Sequence, residues 1–395
     1  MEKIKIPNDV KYLCDKLESS GYEAYVVGGC VRDSFLSSRT PDDWDITTNA
    51  TYEQIAEALK DDVFEIEYGT SKQFNVFVCY YNHEKYEIAT FRTDLDYEDH
   101  RHPVTEITTS IEEDLKRRDF TINAMAYRPS TDELIDLFDG KKDIEDRVIR
   151  AVGNPNDRIN EDALRILRAY RFSANLGFEL DDALEKVCEE RFKDVEYCSM
   201  ERKQMEINKL FSKEIKNKES AKKLLRLVVN DISDETIEMI EYGRHCLEVQ
   251  WALLLKDIDV NHVYEILNIY KFSTRFIDRV IDILKNKNYS FIDKVSIKKY
   301  MSNYGNEGYG LLVMFQSIVG KIDNMQTMEI KKLHRQIIVN EEPYRLSDLK
   351  INGNDLIELG YEGQEIGRKL DNLLNVVINN PKYNNKDILI SMSRR

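Results

Sequence analysis

The first 150 positions switch repeatedly between helical and strand-like hydrophobic patterning. An amphipathic stretch from Val10 to Leu17 precedes the β-rich EAYVV. A Gly28–Gly29 turn follows, then a short helix, the strand-like DWDITT and a second helix from Tyr52 to Leu59. FNVFVCY and YEIATF are rich in aromatic and β-branched residues and predict strands. Thr93 to Thr109 is polar and aperiodic, which predicts a long mobile loop. AYRPSTDELIDLF predicts a hairpin turning at Pro129–Asp132. From Asn154 the pattern is helical only. EDALRILRAYRFSANLG predicts one helix with Leu164, Leu167 and Phe172 on its apolar side and Gly177 just past its end. Further helices are predicted to the C-terminus, broken at DISDE, KNKNYSF, NYGNEGYG, NEEPYRLSD and NNPKYNN. No repeat or low-complexity tract interrupts them. The pattern predicts an α+β protein, a mixed sheet with helices followed by an all-helical remainder.

At 395 residues, 42% hydrophobic and 33% charged, the chain has material for two to four globular domains. No apolar run reaches transmembrane length, and the charged start MEKIKIPNDV lacks the pattern of a signal peptide, so a cytoplasmic protein is expected. Six scattered cysteines without a CxxC pair argue for reduced thiols and against a zinc site or a disulfide framework.

The net charge of −15 at first argues against a nucleic-acid partner. Its distribution changes that picture: residues 1–150 carry a balance of −14 and residues 151–395 only −1. Residues 201–230 hold nine basic and four acidic side chains, and residues 271–300 hold eight and three. These stretches are either phosphate-binding faces or solvated helix surfaces, and charge alone favours the second.

The acidic excess has a candidate chemistry. In DDWDITT the period-two geometry of a strand sends Asp43 and Asp45 to the same face. Two such carboxylates repel each other unless one is protonated or a divalent cation lies between them. Mg²⁺ suits the pair, because it takes one or two carboxylates plus substrate phosphates. Glu87, in the neighbouring strand YEIATF, would complete a set able to hold two metals. Taken alone, a DxD is more often a solvated turn. The preceding Gly28–Gly29 turn shifts that balance, since it lets a phosphate approach a helix start, with Arg32 adding a fixed charge. An ordinary strand-to-helix turn would read the same way.

GGCVRDSFLSSRTPDDWDITT resembles the first motif of the bacterial-type (class II) tRNA nucleotidyltransferase and poly(A) polymerase family, within the DNA polymerase β superfamily. The resemblance continues in order. YEIATFRTDLDYEDHRHP is similar to the third-carboxylate strand and flexible loop, and LKRRDFTINAMAY to the ribose-selecting motif. EDALRILRAYRF resembles the nucleotide-recognition helix, SMERKQMEINKLF the neck motif, and DLKINGNDLIELGYEGQEIGRKLDNLL the tail of tRNA-specific members. The resemblance implies a polymerase-β-like catalytic head over residues 1–150. A nucleotide-recognising neck would cover 151–230, a helical body 231–340 and a tRNA-binding tail 341–395.

It further implies Asp43 and Asp45 as metal ligands, Glu87 as third carboxylate, and Gly29 and Arg32 at the triphosphate. Arg118 matches a nucleotide-contacting position and Asp119 a ribose-fixing one, unless the two form a structural ion pair. Helical spacing would align Asp162, Arg165 and Arg168. The family's logic is that such a carboxylate and guanidinium read the amino group and acceptor shared by adenine and cytosine, replacing a template. Arg168 and Arg171 fall at nucleotide-binding or supporting positions, while Glu161 has a direct role or merely pairs along its helix. Glu201, Arg202 and Glu206 would orient the base-reading pair.

Three departures stand out. Lys203 replaces an apolar residue, and His102 replaces an arginine of the loop, which costs anion affinity at neutral pH. His245 with WALLLKDIDV is similar to an appended phosphohydrolase domain, but Lys256-Asp257 stands where His-Asp is essential, so no such activity is expected. The expected activity is addition of C, C and A to tRNA from CTP and ATP with Mg²⁺. A-only addition and poly(A) synthesis are the alternatives within the family. Transfer to a small molecule and non-catalytic RNA binding are the alternatives outside it.

Overall fold

A computed structural model of the chain describes residues 3–36, 41, 43–66, 72, 75–97 and 103–394. It divides into two compact units, residues 1–210 with 215–224, and residues 211–214 with 225–395.

The first unit is organised by a seven-stranded sheet of order β3-β4-β5-β2-β1-β8-β9. Its strands are β1 (Ala24–Val27), β2 (Asp45–Thr48), β3 (Phe64–Glu65), β4 (Val76–Tyr81), β5 (Glu84–Thr90), β8 (Met125–Arg128) and β9 (Glu133–Asp136). Every residue of AYVV in β1 is buried, because β2 and β8 flank the strand and helices cover it. Helix α1 (Asn8–Ser19) packs on β1 and buries Val10, Leu13, Cys14 and Leu17 on one stripe. Helix α2 (Gly29–Leu36) leaves the end of β1, and α3 (Tyr52–Leu59) follows β2 with a capping box between Thr51 and Gln54. Tyr25, Val27, Phe91, Ile111, Leu115 and Ala126 form one core beside the sheet, with Ile111 and Leu115 supplied by α4 (Ile111–Lys116). The β8–β9 turn spans 129–132.

Residues 93–109 depart from the expected loop. Strands β6 (Arg92–Tyr97) and β7 (Pro103–Ile107) pair antiparallel, with a register shift between Asp94 and Tyr97. Backbone pairing builds this ribbon, so hydrophobic alternation gave no sign of it. His102 and the rest of 98–102 lie outside the described residues.

After these strands in the chain come α5 (Gly140–Asp146), α6 (Pro155–Glu161), α7 (Leu164–Leu176), α8 (Asp182–Glu190) and α9 (Met200–Ser212), with β10 (Val148–Ile149) pairing parallel to β11 (Glu179–Leu180). The single helix expected over EDALRILRAYRFSANLG is instead α6 and α7, broken at Asp162. Asp162 is extended, and its carboxylate accepts the Leu164 amide at 3.0 Å. A short acidic side chain that takes the first free N–H starts a helix rather than continuing one. Gly177 ends α7 in the left-handed region, as a C′ residue does.

The second unit is helical. Trp251 to Leu255 are buried, the core position expected of WALLL. Where NYGNEGYG predicts a break, residues 294–318 form two helical segments joined across Gly305, whose φ of 72° no helix holds. A further apolar cluster gathers Leu349, Ile351, Leu356, Leu374 and Val377 near the C-terminus. No helix among the described residues is long and apolar enough to cross a membrane.

Candidate active site

A cleft of about 570 Å³ opens in the first unit where β1 gives way to α2. Its walls include Gly28, Gly29, Arg32, Asp45, Glu87, Arg118, Asp119, Asp162, Arg165 and Arg168. Nine of the eleven residues singled out from the sequence thus share one cavity; its walls do not include Asp43, which is exposed, or Arg171, which is buried.

The acidic end is set by strand register. β2 pairs parallel with β5 so that Asp45 lies opposite Glu87, and antiparallel with β1 so that Asp45 lies opposite Val27, one residue before the glycine turn. Strand geometry begins only at Asp45; Asp43 and Trp44 precede it. Trp44 is buried and donates its indole N–H to the Pro41 carbonyl, while Asp43 and Asp45 on either side are exposed. The surrounding atoms push the Asp45 carboxyl upward, Arg118 opposes this, and Glu87 and Asp43 raise it further. Asp45 therefore feels both other acids. No ion pair among the described residues reaches Asp43 or Asp45, whereas Glu87 pairs with Lys85 at 2.7 Å. Among the described residues no group of three acidic, histidine or cysteine side chains is assembled to hold a metal ion. Glu87 nonetheless lies on the strand beside Asp45, in register with it, with the exposed Lys85 as its ion-pair partner. Two like-charged carboxylates that no ion pair among the described residues neutralises do suit a divalent cation, which takes one or two acids together with phosphate oxygens.

The glycine turn is a geometric necessity. Gly28 has a φ of +74°, and a Cβ there would meet the Arg118 guanidinium at 3.0 Å. Gly29 opens α2, whose first N–H groups have no acceptor within the helix. Arg32 is buried; it donates to Asp33 at 2.8 Å and to Asn123 Oδ1 at 2.5 Å. Arg118 pairs with the buried Asp114 at 3.2 Å, and its Nε has no acceptor among the described residues. Arg118 and Asp119 thus serve different partners instead of each other.

The basic end is densely paired. Asp119 accepts from Arg168 Nε at 2.7 Å and from Asn123 at 3.2 Å. Burial pushes its carboxyl up, but the charge and hydrogen bond of Arg168 outweigh burial and, with Asn123 and Arg165, hold it at about 2. Glu206, fully buried on α9, accepts from Arg171 at 2.5 Å and lies 3.6 Å from Arg168. Burial holds Arg171 below its ordinary value, with Glu206 opposing and Arg168 adding to the effect. Arg202, also on α9, grips Asp162 at 2.6 Å. Lys203 is buried, with burial lowering its ammonium.

The helix break changes the expected base-reading pair. Asp162 and Arg165 do not lie one turn apart on a common helix. Arg165 pairs with Glu161 and donates to the carbonyls of Arg158 at 2.8 Å and Arg117 at 3.0 Å. Glu161, also bound to Arg158 at 2.6 Å, acts as an ion-pair partner. Asn123 and Phe172 were missed from sequence: an amide four residues after Asp119 and a phenylalanine on an apolar stripe carry no chemical signature until distant elements surround them.

Comparison with known proteins matches residues 24–150 to the poly A polymerase head domain and residues 246–392 to a putative tRNA nucleotidyltransferase domain 2. A CCA-adding enzyme of Listeria monocytogenes is 33% identical over 95% of this chain and 94% of its own length. One from Bacillus subtilis is 32% identical over 87% and 86%. The crystal structure of a Bacillus stearothermophilus CCA-adding enzyme in complex with CTP superposes with a TM-score of 0.77 at 26% identity, covering 98% of this chain and 96% of that one.

Proposed function

This chain belongs to the bacterial-type CCA-adding enzymes, and from that membership we propose how its cleft works. The protein is a nucleotidyltransferase that adds C, C and A to the 3′ end of tRNA from CTP and ATP. Enzymes of this family work with divalent metal ions. In this reading the ion is Mg²⁺, held by Asp43 and Asp45, where it would neutralise phosphate charge and polarise the reacting oxygens. Glu87 adds negative charge on the adjacent strand.

The triphosphate lies against the glycine turn, with the first N–H groups of α2 and the guanidiniums of Arg32 and Arg118 meeting its oxygens. The 3′-hydroxyl of tRNA attacks the α-phosphate in line, and the new P–O bond forms as pyrophosphate leaves. Arg32 and Arg118 hold the charge that accumulates on the phosphates. Asp119 orients the ribose while bound to Arg168. Asp162, steadied by Arg202, accepts the exocyclic amine of cytosine or adenine. Arg165 donates to the ring acceptor after exchanging a carbonyl contact for the base. Guanine and uracil present a carbonyl where Asp162 needs a donor. Residues 1–150 then form the catalytic head, 151–230 the neck, 231–340 the body and 341–395 the tail for tRNA, in the cytoplasm.

One observation carries this reading: Asp45 faces Glu87 in register beside the glycine turn, within a cleft whose far wall is basic. The test supplies purified protein with tRNA ending before CCA, labelled CTP or ATP, and Mg²⁺. Three added nucleotides are expected with both substrates, and none after chelation by EDTA. Absence of incorporation from CTP would overturn the CCA reading; a single A on tRNA ending in CC would mark an A-adding enzyme, and unlimited A tails a poly(A) polymerase.

A further inference from the structure

One aromatic ring lines the charged cleft. Phe172, on α7, is 8% exposed and sits edge-on to Phe120, with ring centres 5.8 Å apart at 82°. Three guanidinium groups surround that ring: Arg171 at 4.0 Å, Arg32 at 5.1 Å and Arg168 at 5.4 Å from its centre. Arg32 comes from α2, at the phosphate end of the cleft. Arg168 and Arg171 come from α7, where Arg168 holds Asp119 and Arg171 holds Glu206.

Three like charges in so small a volume repel one another. Each has an acidic partner, Asp33 for Arg32, Asp119 for Arg168 and Glu206 for Arg171. Those acids are three separate groups on separate segments. The ring is shared by all three arginines, and its negative π face attracts each guanidinium while excluding water between them. An aliphatic side chain of similar volume would fill the same space without that attraction, and each arginine would then follow its own carboxylate.

We propose that Phe172 is a positioning residue whose π face fixes Arg32 relative to Arg168 and Arg171, and thereby sets the separation between the triphosphate-holding Arg32 and the Arg168–Asp119 pair that orients the ribose. The inference rests on the nucleotide cleft proposed above. It predicts a particular defect. CTP and ATP share the triphosphate and are both gripped at two ends, so both should weaken together, while tRNA, held elsewhere, should not.

The decisive experiment places 4-fluoro-, trifluoro- and pentafluorophenylalanine at position 172 of the full chain. This series keeps the shape of the ring while weakening and finally inverting its electrostatic face. KM for CTP and ATP should rise stepwise, to about tenfold in the pentafluoro protein, with kcat within about threefold and KM for tRNA within about twofold. Phe172→Leu should match the pentafluoro protein, and Phe172→Tyr, which keeps a ring face, should recover most of the loss. Unchanged nucleotide KM in the pentafluoro protein would overturn the assignment, as would an equal rise in KM for tRNA. Should Phe172→Leu fail to fold, the fluorinated series decides alone. An unsubstituted protein that adds nothing from CTP would bring down the functional reading itself. An active one with a flat fluorination series brings down only the role of Phe172.

Discussion

The two ends of the cleft are built on opposite principles. At the acidic end Asp43 and Asp45 are exposed, and no ion pair among the described residues reaches them. At the basic end Asp119, Arg171 and Glu206 are buried and tied to one another or to Arg168. The first arrangement is unfavourable until a cation and a triphosphate complete it. The second is complete before substrate arrives. In the proposed mechanism, catalytic power is thus left to groups that the protein alone leaves unsatisfied, and nucleotide positioning to groups held in place beforehand. Removing a charge from either end should accordingly give opposite phenotypes.

The largest effect is expected from Asp45→Ala. Loss of a cation-holding carboxylate should lower kcat by about 1,000-fold or more in single-turnover incorporation. Its urea-unfolding midpoint should stay at or above that of the unsubstituted protein, because a raised carboxyl beside two other acids is removed. Activity within tenfold of normal would break the comparison at the acidic end.

Glu206→Ala probes the other end. It leaves Arg171 buried without its carboxylate and deprives Arg168 of a second one, which should cost about 3 kcal/mol of unfolding free energy. The same variant should retain metal-dependent pyrophosphate release from whatever fraction stays folded. A wild-type denaturation curve would show that the paired end is not pre-organised.

The smallest effect is a pH dependence. Asp119 is held at about 2 in the folded protein, below the ordinary carboxylate value near 3.9. Its contribution to stability is therefore fully present above pH ~4 and is lost as pH falls through about 2, amounting to roughly 2 kcal/mol. In Asp119→Asn, that part of the acid limb of stability against pH should flatten. An unchanged limb would remove Asp119 from the pre-organised set.

How far these ends were legible beforehand differed in the same way. The acidic end is local: DWD, the glycine pair and the strand YEIATF announce themselves by spacing, and the strand pairing of Asp45 with Glu87 adds the register. The basic end is assembled from afar. Arg32 and Asn123 are 91 positions apart, and Arg171 and Glu206 are 35 apart. No periodicity links such residues. Within EDALRILRAYRF the apolar positions looked like one continuous helix, and only the carboxylate of Asp162 turning back to Leu164 divided it. The β6–β7 ribbon was hidden for a related reason, since its pairing lies in the backbone.

Sequence by itself determined the α+β class, the candidate acids of the cleft, the glycine that must carry a positive φ, and the family. Each follows from short-range chemistry: side-chain alternation, turn sterics, and residue types at fixed spacing. Tertiary structure alone decided which acids Arg168 and Arg171 meet, and that the guanidiniums of Arg32, Arg168 and Arg171 gather on Phe172. Such pairings depend on separations through space, which folding creates between segments whose order along the chain does not record them.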